Sequence, residues 1–340
     1  MRFHHRRLSL AGIIAGVCVV AAACSSSPGQ GGPAGTAAAG KTTVTVAYVP
    51  VPLFSPLFVA MSRGYFAQHG INVKLLNVAD GQDAIALAAQ NRVQVVLGGF
   101  SAGMFDAVHS GLNFKVVGSM AGEPGGTPAD GLVVAAGLTG RVRNPGGLKG
   151  MKVGVNGGAG SAGAYLLAAA LAPYHLTLRD VTLVNLALPE QESALKSQAV
   201  AAAYMSSPFL SSATGSGAGK LIARATPGTS VTGVIYGGTF TGSKAAQPFF
   251  DALAEGAQGL QGAQATSRAN LEVEAKATGQ SLSVLEREPA NVFSPRLTPP
   301  TATLDAMQKV FLAAGDLNYR EVLFASTYVD TAFSAHVPRR

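Results

Sequence analysis

This chain has little with which to cross-link itself. Of its 340 residues only two are cysteine, Cys18 and Cys24. Both lie near the start, so the body beyond them can form no disulfide and must be held by its core alone. Tryptophan is absent and charged residues make up only 13%. The formal net charge is +7, and setting aside Arg2, Arg6 and Arg7 takes it to +4. No Lys/Arg cluster accompanies that surplus, which argues against nucleic-acid binding. A hydrophobic content of 48% looks membrane-like, yet no apolar run past the N-terminus approaches the roughly 18 residues of a membrane span. Ala-rich buried helices account for the figure. His69, His109, His175 and His336 are scattered without an i, i+4 pair, and no cysteine remains to join them, so no metal site is expected. There is no G-K-[ST] for a Walker loop, and neither Ser101 nor Ser161 sits in G-x-S-x-G. Asp80, Asp83 and Asp106 read as helix caps or solvated groups, not acid–base catalysts.

What is present begins with an export signal over residues 1–23. Arg2, Arg6 and Arg7 supply its basic part, and Leu8 to Ala23 is an apolar run too short to span a bilayer comfortably. Ala21-Ala22-Ala23-Cys24 resembles the bacterial lipoprotein cleavage site, with alanine where leucine is usual. That resemblance implies a lipid on Cys24. Residues 24–41, mostly Ser, Gly, Ala and Pro, then read as a flexible tether.

The stretch from Val44 to Gly103 organises the rest. Val44, Val46 and Tyr48 alternate as in a half-buried strand that stops at Pro50-Val51-Pro52. Ser55-Pro56 opens an apolar helix ending near Gly64. A strand Val73–Val78, a helix Asp83–Asn91 and a strand Val93–Leu97 follow. Strand, helix, strand, helix, strand within about 60 residues predicts parallel strands joined by right-handed crossovers. In such a sheet ligands sit beyond the carboxyl ends of the strands. Those ends, Val49–Ser55, Val78–Gln82 and Gly98–Gly103, carry no nucleophile–base pair. They predict a binding site, not a reaction centre.

After strands Phe114–Ser119 and Leu132–Ala136 the pattern returns. Met151–Asn156 reads as a strand, Ser161–Leu171 as a helix, Val181–Leu186 as a strand, Gln191–Gln198 as a helix and Val200–Met205 as a strand. Val73, Leu75, Asn77, Ala86, Leu87 and Gln90 find the same residues at Val181, Leu183, Asn185, Ala194, Leu195 and Gln198, at one constant offset. Two similar α/β lobes facing one crevice are therefore expected. Val231–Phe240 reads as a strand returning to the first lobe, and the helical spacing from Lys244 to Asp316 as helices packed upon it. Gly158-Ala-Gly160-Ser-Ala-Gly163 matches G-x-G-x-x-G, but the neighbouring strand ends in Asn185-Leu186-Ala187 and lacks the acid a ribose requires. Asn156–Ser161 is better read as a backbone-donor loop at a helix start, able to hold an anionic or polar group.

These segments resemble the solute-binding proteins that serve ABC importers of sulfonates, taurine, nitrate and thiamine-pyrimidine precursors, a branch of the type 2 periplasmic-binding fold. The resemblance rests on Val46-Ala-Tyr-Val-Pro50, Gly64-Tyr-Phe66 with His69-Gly-Ile71, and Leu97-Gly-Gly-Phe-Ser-Ala-Gly103. In the second half it rests on Leu148-Lys-Gly-Met-Lys-Val153, Ala164-Tyr-Leu-Leu167, Leu195-Lys-Ser197 and Pro208-Phe209. It departs at Gln94 and Ala201, where an acid is usual, and at Ser206-Ser207, where Trp-Glu is common. The resemblance implies two lobes, each a mostly parallel sheet flanked by helices: 42–134 with 238–340, and 135–237. It implies ligand contacts from Leu53, Phe54, Ser55, Gly99, Ser101, Ser119, Asn156, Gly158, Ala159, Gly160 and Ser161, with Pro208, Phe209 and Tyr236 on the hinge side. That set has no lysine or arginine and favours a neutral or amphiphilic solute, sulfonate- or pyrimidine-like, over nitrate. The expected protein is a non-enzymatic, lipid-anchored monomer on the outer face of the cytoplasmic membrane. It has no cofactor, and its partners are the permease and ATPase subunits of an importer. Two rivals are weighed beside it: a surface lipoprotein with a degenerate cleft acting as sensor or interaction module, and a thiamine-pyrimidine-synthesis enzyme. The cysteine cluster that enzyme's iron chemistry leans on is missing.

Overall fold

The computed structural model describes residues 41–78 and 81–338, the side chains of 81–83 excepted. The export signal, Cys24, nearly all of the tether, Asp80 and the side chains of Gln82 and Asp83 thus lie outside the described residues. Twelve strands can be named among the described residues. They are β1 (Thr42–Tyr48), β2 (Ile71–Asn77), β3 (Val95–Gly99), β4 (Phe114–Ser119), β5 (Ala121–Gly122) and β6 (Asp130–Ala135). The others are β7 (Lys152–Val155), β8 (Thr182–Asn185), β9 (Ala202–Ser206), β10 (Gly219–Arg224), β11 (Thr232–Gly237) and β12 (Val292–Phe293).

Ten of these form two five-stranded sheets, ordered β2-β1-β3-β11-β4 and β10-β6-β9-β7-β8. Read from opposite ends the two orders are the same. A central strand (β1 or β7) pairs in parallel with the next two of its lobe, and a strand arriving from the other lobe runs antiparallel beside the third. The internal echo in the sequence is thus an echo in topology. Val95, Val96 and Leu97 are all fully buried, as expected where helices cover both faces of a parallel sheet.

The lobe crossings differ from the expected boundaries. β6 lies in the second sheet, whereas the resemblance places residues to 134 in the first lobe, and β11 lies in the first, whereas it places residues to 237 in the second. Each crossing strand is an apolar run that reads equally well in either lobe, so the crossings fall just before it. The two crossing segments run side by side. Met120 N–H donates to Thr232 O, Glu123 N–H to Thr229 O and Ala225 N–H to Asp130 O at 2.9, 2.9 and 3.1 Å. β10 was not foreseen: it is a half-buried edge strand with a register irregularity at Leu221/Ala223. The C-terminal helices do not all pack on the first lobe. The helix Ala246–Gln258 lies on Ser55–Ser62, but Thr301–Ala314 touches both Ala102–His109 and Ala162–Leu171. A continuous buried cluster therefore runs from Phe105 and Phe311 to Val153 and Leu167, across both lobes.

Candidate functional site

The strand ends of both sheets face a cavity of about 110 Å³, far above the roughly 10–15 Å³ that a single water requires. The first lobe supplies Val49, Val51, Leu53, Phe54, Gly99 and Phe100. The second supplies Asn156, Ser161, Ala162, Gly163 and Leu166, with Tyr204 and Ser206 on β9. Asp130, Ala225, Thr229, Val231 and Thr232 come from the crossing segments, and Asn291 from the C-terminal part. Beside the cavity, sharing Val49, Val51, Asn156 and Leu188 with it, lies a mostly apolar mouth lined by Pro50, Val78, Pro189, Pro208, Phe209 and Val284.

Of the residues expected to bind, Leu53, Phe54, Gly99, Asn156 and Ser161 line the cavity, and Pro208 and Phe209 line the mouth. The others are engaged elsewhere. Ser101 is fully buried and caps its helix, accepting from Met104 N–H at 3.2 Å. Ser55 is fully buried, donates to Pro52 O at 2.8 Å and meets Glu274 Oε1. Ser119 is buried, with its amide on Leu297 O. Tyr236 lies in the first core, its hydroxyl donating to Ala246 O at 2.9 Å and its ring packed on Phe240 and Phe333.

The middle of the glycine loop, Gly158 to Gly160, does not line the cavity, although Asn156 and Ser161 at its ends do. Gly158 rests against Asn185, Ala159 is exposed, and the Gly160 carbonyl accepts from Ala102 N–H of the first lobe at 2.8 Å. Ser161 donates to Gly158 O and accepts from Ala164 N–H, so its hydroxyl holds the loop and the helix start. Arg179 Nε donates to Ala314 O at 3.2 Å, a second tie near the same seam. The lobes are in contact, and the loop read as a ligand cradle forms part of that contact.

An acidic corner that sequence reading missed lies inside. Asp130 and Ser206 are register partners on β6 and β9, as are Leu132 and Tyr204, so Asp130, Ser206 and Tyr204 share one face. Ser206 Oγ donates to Asp130 Oδ1. Behind them Glu123 is buried, accepting from Ala129 N–H and Asp130 N–H at 3.0 and 3.1 Å. Burial and then the neighbouring Asp130 charge push the Glu123 carboxyl up to about 8, and burial also raises Asp130. Two carboxyls so close together disfavour being ionised at the same time. The Tyr204 hydroxyl and Thr232 Oγ1, on residues 4% and 6% exposed, have no hydrogen-bond partner. Alternation on β9 was the available signal, since Tyr204 and Ser206 fall two apart. Asp130 needed the register.

Among the described residues lining the cavity and its mouth, Asp130 is the only charged side chain. A fixed anion 4 Å from it would meet a repulsion of about 4 kcal/mol at an effective dielectric of 20. No cluster of three or more His, Cys, Asp or Glu suited to a metal occurs among the described residues, and those residues contain no cysteine.

Residues 51–213 match the model of the NMT1/THI5 like family. Among curated proteins no sequence matches. Solved structures match over most of the chain. The alkanesulfonate-binding protein SsuA of Xanthomonas axonopodis pv. citri, bound to MOPS, is 19% identical with a TM-score of 0.68, covering 86% of this chain and 100% of that one. The periplasmic nitrate-binding protein NrtA of Synechocystis PCC 6803 is 11% identical with a TM-score of 0.67, covering 87% and 86%. The desulfurization enzyme DSZB is 16% identical with a TM-score of 0.56, covering 87% and 98%. Over residues 51–213, just under half of its length, the chain is similar to the NMT1/THI5 like family, and by its fold it is a two-lobed α/β protein of the kind seen in the sulfonate- and nitrate-binding proteins.

Proposed function

We propose that this chain is an extracytoplasmic solute-binding protein. It captures a small organic solute between its lobes and presents it to the permease and ATPase subunits of an ABC importer. One observation carries the reading: a cavity of about 110 Å³ lies where both sheets' strand ends meet, walled by both lobes and holding two unpartnered hydroxyls. Lobes joined by two crossing segments are suited to hinge closure about a guest. The family match and the sulfonate- and nitrate-binding neighbours support the same reading. Because the fold also serves an enzyme, the non-catalytic reading draws its support from the site itself. The hydroxyls of Ser101 and Ser161 are taken up in caps, and the sequence shows no nucleophile–base pairing at the strand ends.

Export and a lipid on Cys24 belong to this proposal, with the monomer held on the outer face of the cytoplasmic membrane by its tether. No helix among the described residues is long and apolar enough to cross a membrane. Native mass spectrometry of freshly purified protein tests the central claim, with a co-purified small molecule as the expected result. Finding no such molecule, together with no thermal shift across amines, sulfonates, pyrimidines and nitrate, overturns it. Incorporation of labelled palmitate, lost in Cys24→Ala, tests the anchor.

A further inference from the structure

We propose that the solute of this cleft carries a protonated amine or amidine, received by the Asp130 carboxylate between the Tyr204 and Thr232 hydroxyls, with its apolar part against Phe54 and Leu166. The inference rests on the solute-binding reading above and names the class of guest.

Around the cavity and its mouth no described residue is a lysine, arginine or histidine, and Asp130 is the only charge. Among the described residues no cation pairs with the Asp130 carboxylate. Its named side-chain partners are the Ser206 hydroxyl, bound to Oδ1, and the neighbouring Glu123 carboxyl. A half-buried carboxylate so placed is stabilised in its ionised form by a cationic N–H donor and destabilised by a sulfonate or nitrate.

The second observation is independent of the acids. Tyr204 and Thr232 bury their hydroxyls in the cavity wall without a partner. Buried hydroxyls left unsatisfied are uncommon, and each is satisfied here by a polar guest. They stand on β9 and β11, one strand from each sheet, so a guest bonded to both would hold the lobes together. A hydroxyl can accept from the same nitrogen that donates to Asp130. The remaining wall, with Val51, Phe54, Phe100 and Leu166, suits a short hydrocarbon or aromatic ring.

Three probes share one ring and differ in the polar group: benzylamine, benzyl alcohol and benzenesulfonate. Calorimetric titration into the full mature chain, stripped of any co-purified molecule, is expected to show benzylamine binding at least tenfold more tightly than either of the others. Asp130→Asn, checked for folding by circular dichroism, is expected to reduce the preference for benzylamine over benzyl alcohol to less than threefold. The ranking of the three probes on the unmodified chain stands even if that variant fails to fold. Benzenesulfonate binding as tightly as benzylamine overturns the inference. So does an Asp130→Asn variant that folds and keeps the preference, and so does binding of none of the three. In that last case a co-purified solute seen by native mass spectrometry leaves the solute-binding reading intact, and its absence removes both.

Discussion

The Ala102 amide donates to the Gly160 carbonyl at 2.8 Å, and this bond stitches the helix start after β3 to the loop after β7. Gly160 has φ +68°, and a Cβ built there would lie 2.7 Å from Ala102 Cβ. A Gly160→Val substitution therefore both strains the backbone, at about 1–2 kcal/mol, and wedges the seam open. Solute affinity is expected to fall tenfold or more, with a larger radius of gyration by small-angle scattering. An unchanged affinity would mean that the seam plays no part in closure.

Glu274 touches Ser55 across the gap between the helices Ser55–Ser62 and Arg268–Thr278. The Ser55 hydroxyl has one proton to share between Pro52 O and Glu274 Oε1, so a proton on the acid relieves the shortage. Burial pushes that carboxyl up from 4.5 to about 7, against the opposing pull of Ser55. Because the folded value is raised, the stability it confers is fully present below pH 4.5 and is lost as pH rises through 7. Glu274→Gln keeps a donor without a charge. It is expected to stabilise the protein at pH 8 by up to roughly 3 kcal/mol and to leave pH 4 nearly unchanged. Urea unfolding at the two pH values measures this.

Tyr204→Phe removes a buried hydroxyl that has no partner. An unsatisfied buried polar group costs about 1–3 kcal/mol, so the empty protein should melt higher. The solute-loaded protein should lose that advantage, with affinity weakened about fivefold or more. Equal melting gains with and without solute would show that the hydroxyl never meets the guest.

Gly256 is where the helix Ala246–Gln258 meets Ser55–Ser62. A Cβ there would stand 2.1 Å from the Pro56 carbonyl oxygen and 3.0 Å from Ala60 Cβ. Even Gly256→Ala must push the helices apart, at a cost of about 1–3 kcal/mol. Urea unfolding should show a lower midpoint with an unchanged slope.

Much of the architecture was legible in the sequence because it is written in short-range patterns. Val44, Val46 and Tyr48 alternate, Pro56 sits where a helix tolerates it, and the repeat around Val73 and Val181 reappears as β2 and β8 in matching positions of the two sheets. The crossing points were less legible, because β6 and β11 are apolar runs whose lobe is decided by pairing over long distances. The site divided along the same line. Leu53, Phe54 and Asn156 follow strands directly and line the cavity. Ser55, Ser101 and Tyr236 also follow strands or lie upon them, yet their hydroxyls were drawn to Glu274, a helix cap and Ala246. Asp130 and Tyr204 escaped notice because what joins them is the register of β6 against β9, and register leaves no mark in either strand alone. Ser206, marked in the sequence only as a departure, is the residue that bonds Asp130.

Glu123 takes the amides of Ala129 and Asp130, which pinches the intervening Pro124–Pro128 segment into a closed eyelet on the pivot. Gly125 and Gly126 at its tip are exposed, with nothing within 4 Å of a side chain added to either. The described residues hold no other thiol. A dye on a cysteine installed at Gly126 would therefore ride the pivot and convert each capture event into a change of fluorescence, turning the protein into its own sensor.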